Sequence, residues 1–382
     1  MNKNTRILFG ITTKSHIEIA LDEMYGLQDM GYTCSCFEYG GKKNINSAFA
    51  RLVILIYNAF RLMIKTYQFK PDYIYLNSRV ELTGSLRDFI TIVILKLFYY
   101  KEICIVLKSH GSNLEALQNN SFLYKKLIFP FLKNQVRAWL FLSTEEVEFI
   151  TANNLLDHQK IFLSKNIVRV NKFKIDEEFK AKHNIPSDYK ILLFAGRIVK
   201  EKGLDHVVEA FAEIKKLFKV VLIIVGDGDA FALIKKNIEN LSLKNDIIIT
   251  GWVDETTSTY FTSNSDVLIY PTFAPEGLPM SLFNSLAAGL SVITTPIRAA
   301  NDYLEEPKNC LWVAPRSSTS IIIALKKLLS NEPLMKQMQI NNKLKAQLFA
   351  QVIVCKELSS ILNSINENKC DENLRVVREI VA

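Results

Sequence analysis

Short apolar runs alternate with stretches of helical period through nearly all of this 382-residue chain. In the first half the runs are RILFGI (6–11), YTCSCFEY (32–39), YIYL (73–76), ICIVLKS (103–109), AWLFLS (138–143) and KIFLS (160–164). Each has strand length, and segments of about 12 to 20 residues with helical spacing separate most of them. Runs that are apolar on both faces belong to a parallel sheet covered on both sides. The rhythm restarts with KILLFAGR (190–197), VVLIIVGDG (220–228), DIIITG (246–251), DVLIYP (266–271) and LSVITT (290–295). Between the two series lies NIVRVNKFKIDEEFKAKHNIPSDY, polar and without a long apolar run.

The pattern predicts two doubly wound α/β domains facing across a cleft, over 1–172 and 173–365, with ligands beyond the carboxyl ends of the strands. After LWVAP (311–315) the chain reads as helical, and a last helix over 366–382 is placed to pack back on the first domain.

Composition is globular, at 49% hydrophobic and 23% charged, with no repeat of 20 to 50 residues. The start lacks the apolar core and cleavage site of a secretory signal, so the expected location is cytoplasmic. Six cysteines are scattered through apolar runs and read as reduced core thiols; Cys34 and Cys36 lack a second ligand pair for a metal. The net charge of +8 is uneven. Residues 1–170 hold 21 Lys and Arg against 14 Asp and Glu, leaving +1 for the rest. Within this basic half, cations interleave with large apolar residues in RLVILIYNAFRLMIK (51–65), ILKLFYYK (94–101) and FLYKKLIFPFLK (122–133). None has the roughly 18 uninterrupted apolar residues of a membrane span. They read either as core-facing helices with solvated lysines or as a surface that docks on anionic lipid. No nucleic-acid recognition motif accompanies the charge.

Three turns in the second half carry the candidate chemistry. In FAGRIVKEKGLDHVVEAF, Gly196 lets a strand turn, and Arg197 and Lys202 precede a helix starting near Leu204, an arrangement suited to a diphosphate. In VVLIIVGDGDAF, Gly226 begins a second turn of this kind, with Asp229 placed to cap the helix. That placement, with Arg197 and Lys202 available, argues against reading Asp227 and Asp229 as a cation site. In PEGLPMSLFNSLAAGLSVITT, Glu276 precedes a helix that Pro279 opens and Gly289 ends, and Asn284 points back along that helix.

The segments GRIVKEKG, IIVGDGD, ITGWV, YPTFAPEGLPMSLFNSLAAGLSVITT and NCLWV stand in the order and spacing of retaining GT-B-fold glycosyltransferases, family 4, which residues 190–315 resemble closely. The first half resembles them more loosely through KSHGSN, LFLSTEEVEFI and KIFLSKNIVRVNKF. The resemblance implies two Rossmann-like domains, with acceptor bound by the first and a nucleotide-diphosphate sugar by the second. It implies that Arg197 and Lys202 bind and stabilise the leaving diphosphate, that Glu276 contacts the donor sugar, and that His110 faces the reacting sugar. Gly196, Gly226, Gly251, Val253, Gly277, Leu278 and Pro279 would line the donor, with Asn284 at a ribose contact where the family has a second glutamate.

Further departures are the missing early glycine pair in GITTKSHIEIA, although Gly10 is near, and Arg298 and Ala299 where a glycine pair is common. Asp302 stands where glutamate is common. The implied function is metal-independent hexosyl transfer from a UDP-sugar, with GDP the competing base, to a saccharide or lipid-linked saccharide, in capsule, O-antigen or lipopolysaccharide assembly. No cofactor and no metal are expected, and no nucleic acid; an anionic membrane surface is the further expected partner. A sugar-nucleotide-binding partner without turnover and a GT-B epimerase or inverting transferase are the alternatives.

Overall fold

A computed structural model describes residues 5–12, 17–40, 47–99, 102–112, 114 and 122–367. Contacts divide the chain into two units. The first holds the chain up to Ile167, the loop Pro275–Leu278 and the chain from Gln351; the second holds Val168–Ala274 and Pro279–Ala350.

The first unit is built on six parallel strands: β1 (Arg6–Ile11), β2 (Thr33–Glu38), β3 (Tyr73–Ser78), β4 (Cys104–Ser109), β5 (Val136–Phe141) and β6 (Ile161–Leu163), in the order β2-β1-β3-β4-β5-β6. Alternate residues serve two cores, as the two-residue period of a strand requires. Ile7, Phe9, Tyr73, Tyr75 and Val106 pack on one face with Val354, Leu358 and Ile361 of the helix Gln351–Glu367. Leu8, Ile74, Leu76, Ile105 and Leu107 form the other core with Leu62, Ile92 and Leu95. Those last three come from the helices α2 (Ala48–Phe69) and α3 (Leu82–Phe98), which follow α1 (Ile17–Asp29). Each such side chain contributes about 1.5–3 kcal/mol by burial.

The helix Gln351–Glu367 is tied to the first unit by the Tyr73 hydroxyl donating to the Leu362 carbonyl at 2.8 Å and by Lys165 Nζ on Glu357 Oε1 at 2.6 Å. The expected 366–382 helix lies almost wholly outside the described residues. It is Gln351–Glu367, placed by pattern with the second domain, that packs on the first sheet. The run Glu332–Ile365 reaches membrane-spanning length and apolarity by composition, but a 3-10 turn at Gln347–Phe349 divides it into two shorter helices.

The second unit carries β7 (Lys190–Ala195), β8 (Val220–Val225), β9 (Ile247–Gly251), β10 (Val267–Tyr270), β11 (Ser291–Thr294) and β12 (Leu311–Trp312), all parallel, in the order β12-β11-β10-β7-β8-β9. Pattern reading gives five strands here; the sixth, β12, is two residues long and too short to show a period. The order in which strands are added reverses between β7 and β10, the switch point at which doubly wound sheets open a crevice.

Candidate functional site

In the second unit the predicted residues stand at or follow the carboxyl ends of β7 to β10. The three turns after β7, β8 and β9 are laced by backbone. Gly196 N–H donates to the Val225 carbonyl at 2.9 Å, Ile198 N–H to the Asp227 carbonyl at 2.9 Å, and Gly226 N–H to the Gly251 carbonyl at 3.0 Å. A Cβ on Gly226 would stand 1.9 Å from the Gly196 carbonyl oxygen. The second glycine turn is therefore glycine because the first turn lies on it, a reason additional to approach by a nucleotide. Asp227 Oδ1 accepts from Gly228 N–H at 2.7 Å. The next helix, Phe231–Asn240, has Ala230 at its N-cap and no side-chain cap, so the expected capping role of Asp229 is not realised. Among the described residues no group of three or more His, Cys, Asp or Glu side chains is placed to hold a metal.

Arg197 lies exposed on the first turn, whereas Lys202 is buried at 5% exposure. Lys202 closes the 3-10 turn Lys200–Lys202, and its Nζ donates to the hydroxyl of Tyr270 while standing 4.8 Å from that ring's centroid. Tyr270 ends β10, so this contact spans the β7–β10 switch point. Burial, and secondly the charge of Arg197, push the Lys202 ammonium down to about 7. A cation desolvated beside another cation favours an anion at that position, because the anion restores its charged form.

The helix Met280–Ala288 starts after Pro279, which occupies the N-cap, and ends at Gly289 with φ 81°, the left-handed stop the sequence indicates. Asn284 is half-buried on it, and its Oδ1 is shut off from solvent with no hydrogen-bond partner. An unmet buried acceptor costs about 1–3 kcal/mol, which a ligand hydroxyl would recover. Val253 is half-buried just beyond Gly251, and Trp252 between them is 77% exposed. Arg298, where the resemblance has glycine, is buried and adopts φ 46°, a conformation that costs a non-glycine residue of order 1 kcal/mol or more.

Glu276, Gly277 and Leu278 fall in the loop grouped with the first unit; Gly277 and Leu278 are buried and Glu276 half-buried. In that unit His110 follows β4, its N–H donating to the Ser78 carbonyl at 2.9 Å and its Nε2 lying 2.7 Å from Asn77 Oδ1. The turn after it is held by buried Glu146, which accepts from Ser112 N–H at 2.7 Å and from the Ser143 hydroxyl at 3.0 Å. Asn77, Glu146 and Tyr270 were not legible as site residues. Each acquires its role from a partner 33 to 68 positions away, and local pattern carries no such signal.

Residues 175–345 match the family model described as glycosyl transferases group 1. The chain is 25% identical over 244 residues to an uncharacterized glycosyltransferase, MJ1069, of Methanocaldococcus jannaschii, covering 62% of each chain. It is 26% identical over 224 residues to the capsular polysaccharide biosynthesis glycosyltransferase CapM of Staphylococcus aureus, covering 56% of this chain and 58% of CapM. The chain thus spans less than two thirds of the length of these curated relatives. Among solved structures it is similar to Anabaena Alr3699/HepE in complex with UDP and glucose, with a TM-score of 0.74 and 14% identity over 94% of this chain and all of that one. That likeness gives the fold, GT-B.

Proposed function

For a chain whose residues 175–345 match the model of glycosyl transferases group 1, on a GT-B fold, we propose retaining glycosyl transfer from a nucleotide-diphosphate sugar. The observation that carries the proposal is Lys202, a buried cation at the switch-point end of the second sheet, held beside Tyr270 with its ammonium depressed to about 7. A diphosphate brings negative charge beside Arg197 and Lys202 and favours the charged form of that ammonium. Arg197 and Lys202 then stabilise the leaving phosphate as its bond to the sugar's C1 breaks and the electron pair departs with it. The acceptor hydroxyl attacks C1 from the same face and passes its proton to that phosphate oxygen. In this reading Glu276 contacts the sugar hydroxyls, His110 is the further residue assigned to the reacting sugar, and Asn284 offers its unmet carbonyl to the ribose.

A hexosyl UDP-sugar is the proposed donor, in keeping with the ligands of HepE. A saccharide or lipid-linked saccharide of a surface polysaccharide is the proposed acceptor, as the name of CapM suggests. The basic first half suits an acceptor presented at a cytoplasmic membrane face.

Calorimetric titration with UDP-, GDP- and ADP-sugars, followed by donor turnover with and without chelator, tests this reading. UDP-sugar binding and a chelator-insensitive rate are expected; no binding of any of the three, or loss of rate with chelator, overturns it. Asn284 in place of an acid favours a second reading, a sugar-nucleotide-binding partner, to which binding without any turnover would point.

A further inference from the structure

Helix α2, Ala48–Phe69, is apolar on two sides, and among the described residues only one of them is fully covered. Its inner face, with Ala59, Leu62 and Thr66, is fully buried on the first sheet. The opposite face repeats at helical spacing through Phe49, Val53, Tyr57, Phe60, Ile64 and Tyr67, between 38% and 77% exposed. Phe60 lies 5.6 Å from the ring of Phe98, which is 45% exposed at the end of α3, so the apolar surface extends onto the neighbouring helix. Tyr67 turns onto the same neighbour, its ring 5.0 Å from that of Tyr99 and its hydroxyl donating to the Phe98 carbonyl, but Phe49, Val53, Tyr57 and Ile64 stay about half exposed or more, a periodic stripe that scattered single apolar residues would not form.

The charge beside the stripe is of one sign. The helix carries Arg51, Arg61 and Lys65 and no acid, and Lys70 follows at its C-cap. Arg61 and Lys65 stand one turn apart along one edge of the stripe. Arg61 also lies over the rings of Phe37 and Tyr57, at 5.2 and 5.7 Å from their centroids. An apolar aromatic stripe edged by cations is the arrangement of a helix that lies in the plane of a membrane interface, with its apolar side among acyl chains and its cations at anionic headgroups.

We infer that the outer face of α2 is a docking surface for an anionic bilayer. This deepens the lipid-linked acceptor part of the preceding reading and rests on it for purpose, but not for observation.

The test is flotation of the full chain, without donor, on vesicles of equal phosphatidylglycerol and phosphatidylcholine, and on phosphatidylcholine alone. Binding to the first, weakened by 0.5 M salt, and little to the second are expected. The double variant Arg61→Glu/Lys65→Glu should lower partitioning about 25-fold or more, from about fivefold for each cation near an anionic surface. Tyr57→Asp/Ile64→Asp should abolish it, with unfolding temperature and UDP-sugar binding unchanged in both.

Equal binding to neutral vesicles overturns the inference, as does anionic binding indifferent to both variants. A dimer dissolved by Tyr57→Asp, without vesicle binding, assigns the face to a second copy instead. Vesicle binding without donor binding refutes the transferase reading and leaves the surface standing; donor binding without vesicle binding does the reverse.

Discussion

Titrating Lys202 offers a direct measurement of the proposed diphosphate site. In the unliganded protein its ammonium is lowered to about 7, by burial first and by Arg197 second. A bound diphosphate returns it to the charged form, so binding takes up a proton wherever the free group is neutral. For a folded-state value near 7, affinity relative to the fully protonated site falls about 2-fold at pH 7 and about 30-fold at pH 8.5. Between those pH values the Kd for a UDP-sugar should therefore rise about 15-fold. The diphosphate diester of a sugar nucleotide has no titrating proton of its own in this window, so the change belongs to the protein. Calorimetry in two buffers of different ionisation enthalpy should give uptake of about half a proton at pH 7 and nearly one at pH 8.5.

Lys202→Arg keeps the charge at every pH and should flatten both curves. A wild-type Kd that does not change between pH 7 and 8.5, or proton release on binding, would refute the reasoning. The sign for stability runs the other way. A lysine whose folded value lies below its unfolded one opposes folding when charged, so the unliganded protein should gain stability as pH rises from about 7 toward about 10.4.

Glu276→Gln should lower turnover by about 100-fold or more while leaving the unfolding temperature in place, checked by donor consumption and calorimetry together. Gly226→Ala should cost at least about 2 kcal/mol in chemical denaturation, because its Cβ would meet the Gly196 carbonyl at 1.9 Å. Gly251→Ala, at φ 70° with nothing within 4 Å of the added atom, should cost only about 1 kcal/mol. Asn284→Glu restores the acid found in the resembling family and should tighten UDP-sugar binding without changing turnover at saturation; turnover appearing only in the variant would instead assign the natural chain to the binding-partner reading.

The order of strands and helices was readable from the chain because covered parallel strands must be apolar on both faces, and ten of the twelve strands announce themselves by such runs, while the half-exposed edge strand β2 was read from its alternation. Gly289 was readable as a helix stop because few other residues accept a left-handed φ. The grouping of Arg197, Lys202 and Gly226 at strand ends was legible too, since each follows an apolar run by one to seven positions, whereas Asn284 was placed by the backward lean of side chains on its helix. Asp229 was misread as a cap because the helix begins two residues later, after Ala230, and a capping residue is recognised only relative to that start.

What the sequence by itself determined was therefore local: which segments are strands, where glycine is needed, and which polar residues sit beside the strand ends. Partnership between distant positions was decided by tertiary structure alone. Lys202 is buried where β10 brings Tyr270 over it from 68 residues away, and that burial, with the charge of Arg197 second, depresses its ammonium. The helix from Gln351 belongs with the first sheet because Tyr73 and Lys165 meet it there. The outer face of α2 became visible only once its inner face was covered, because apolar periodicity alone does not say which side of a two-sided helix the core takes.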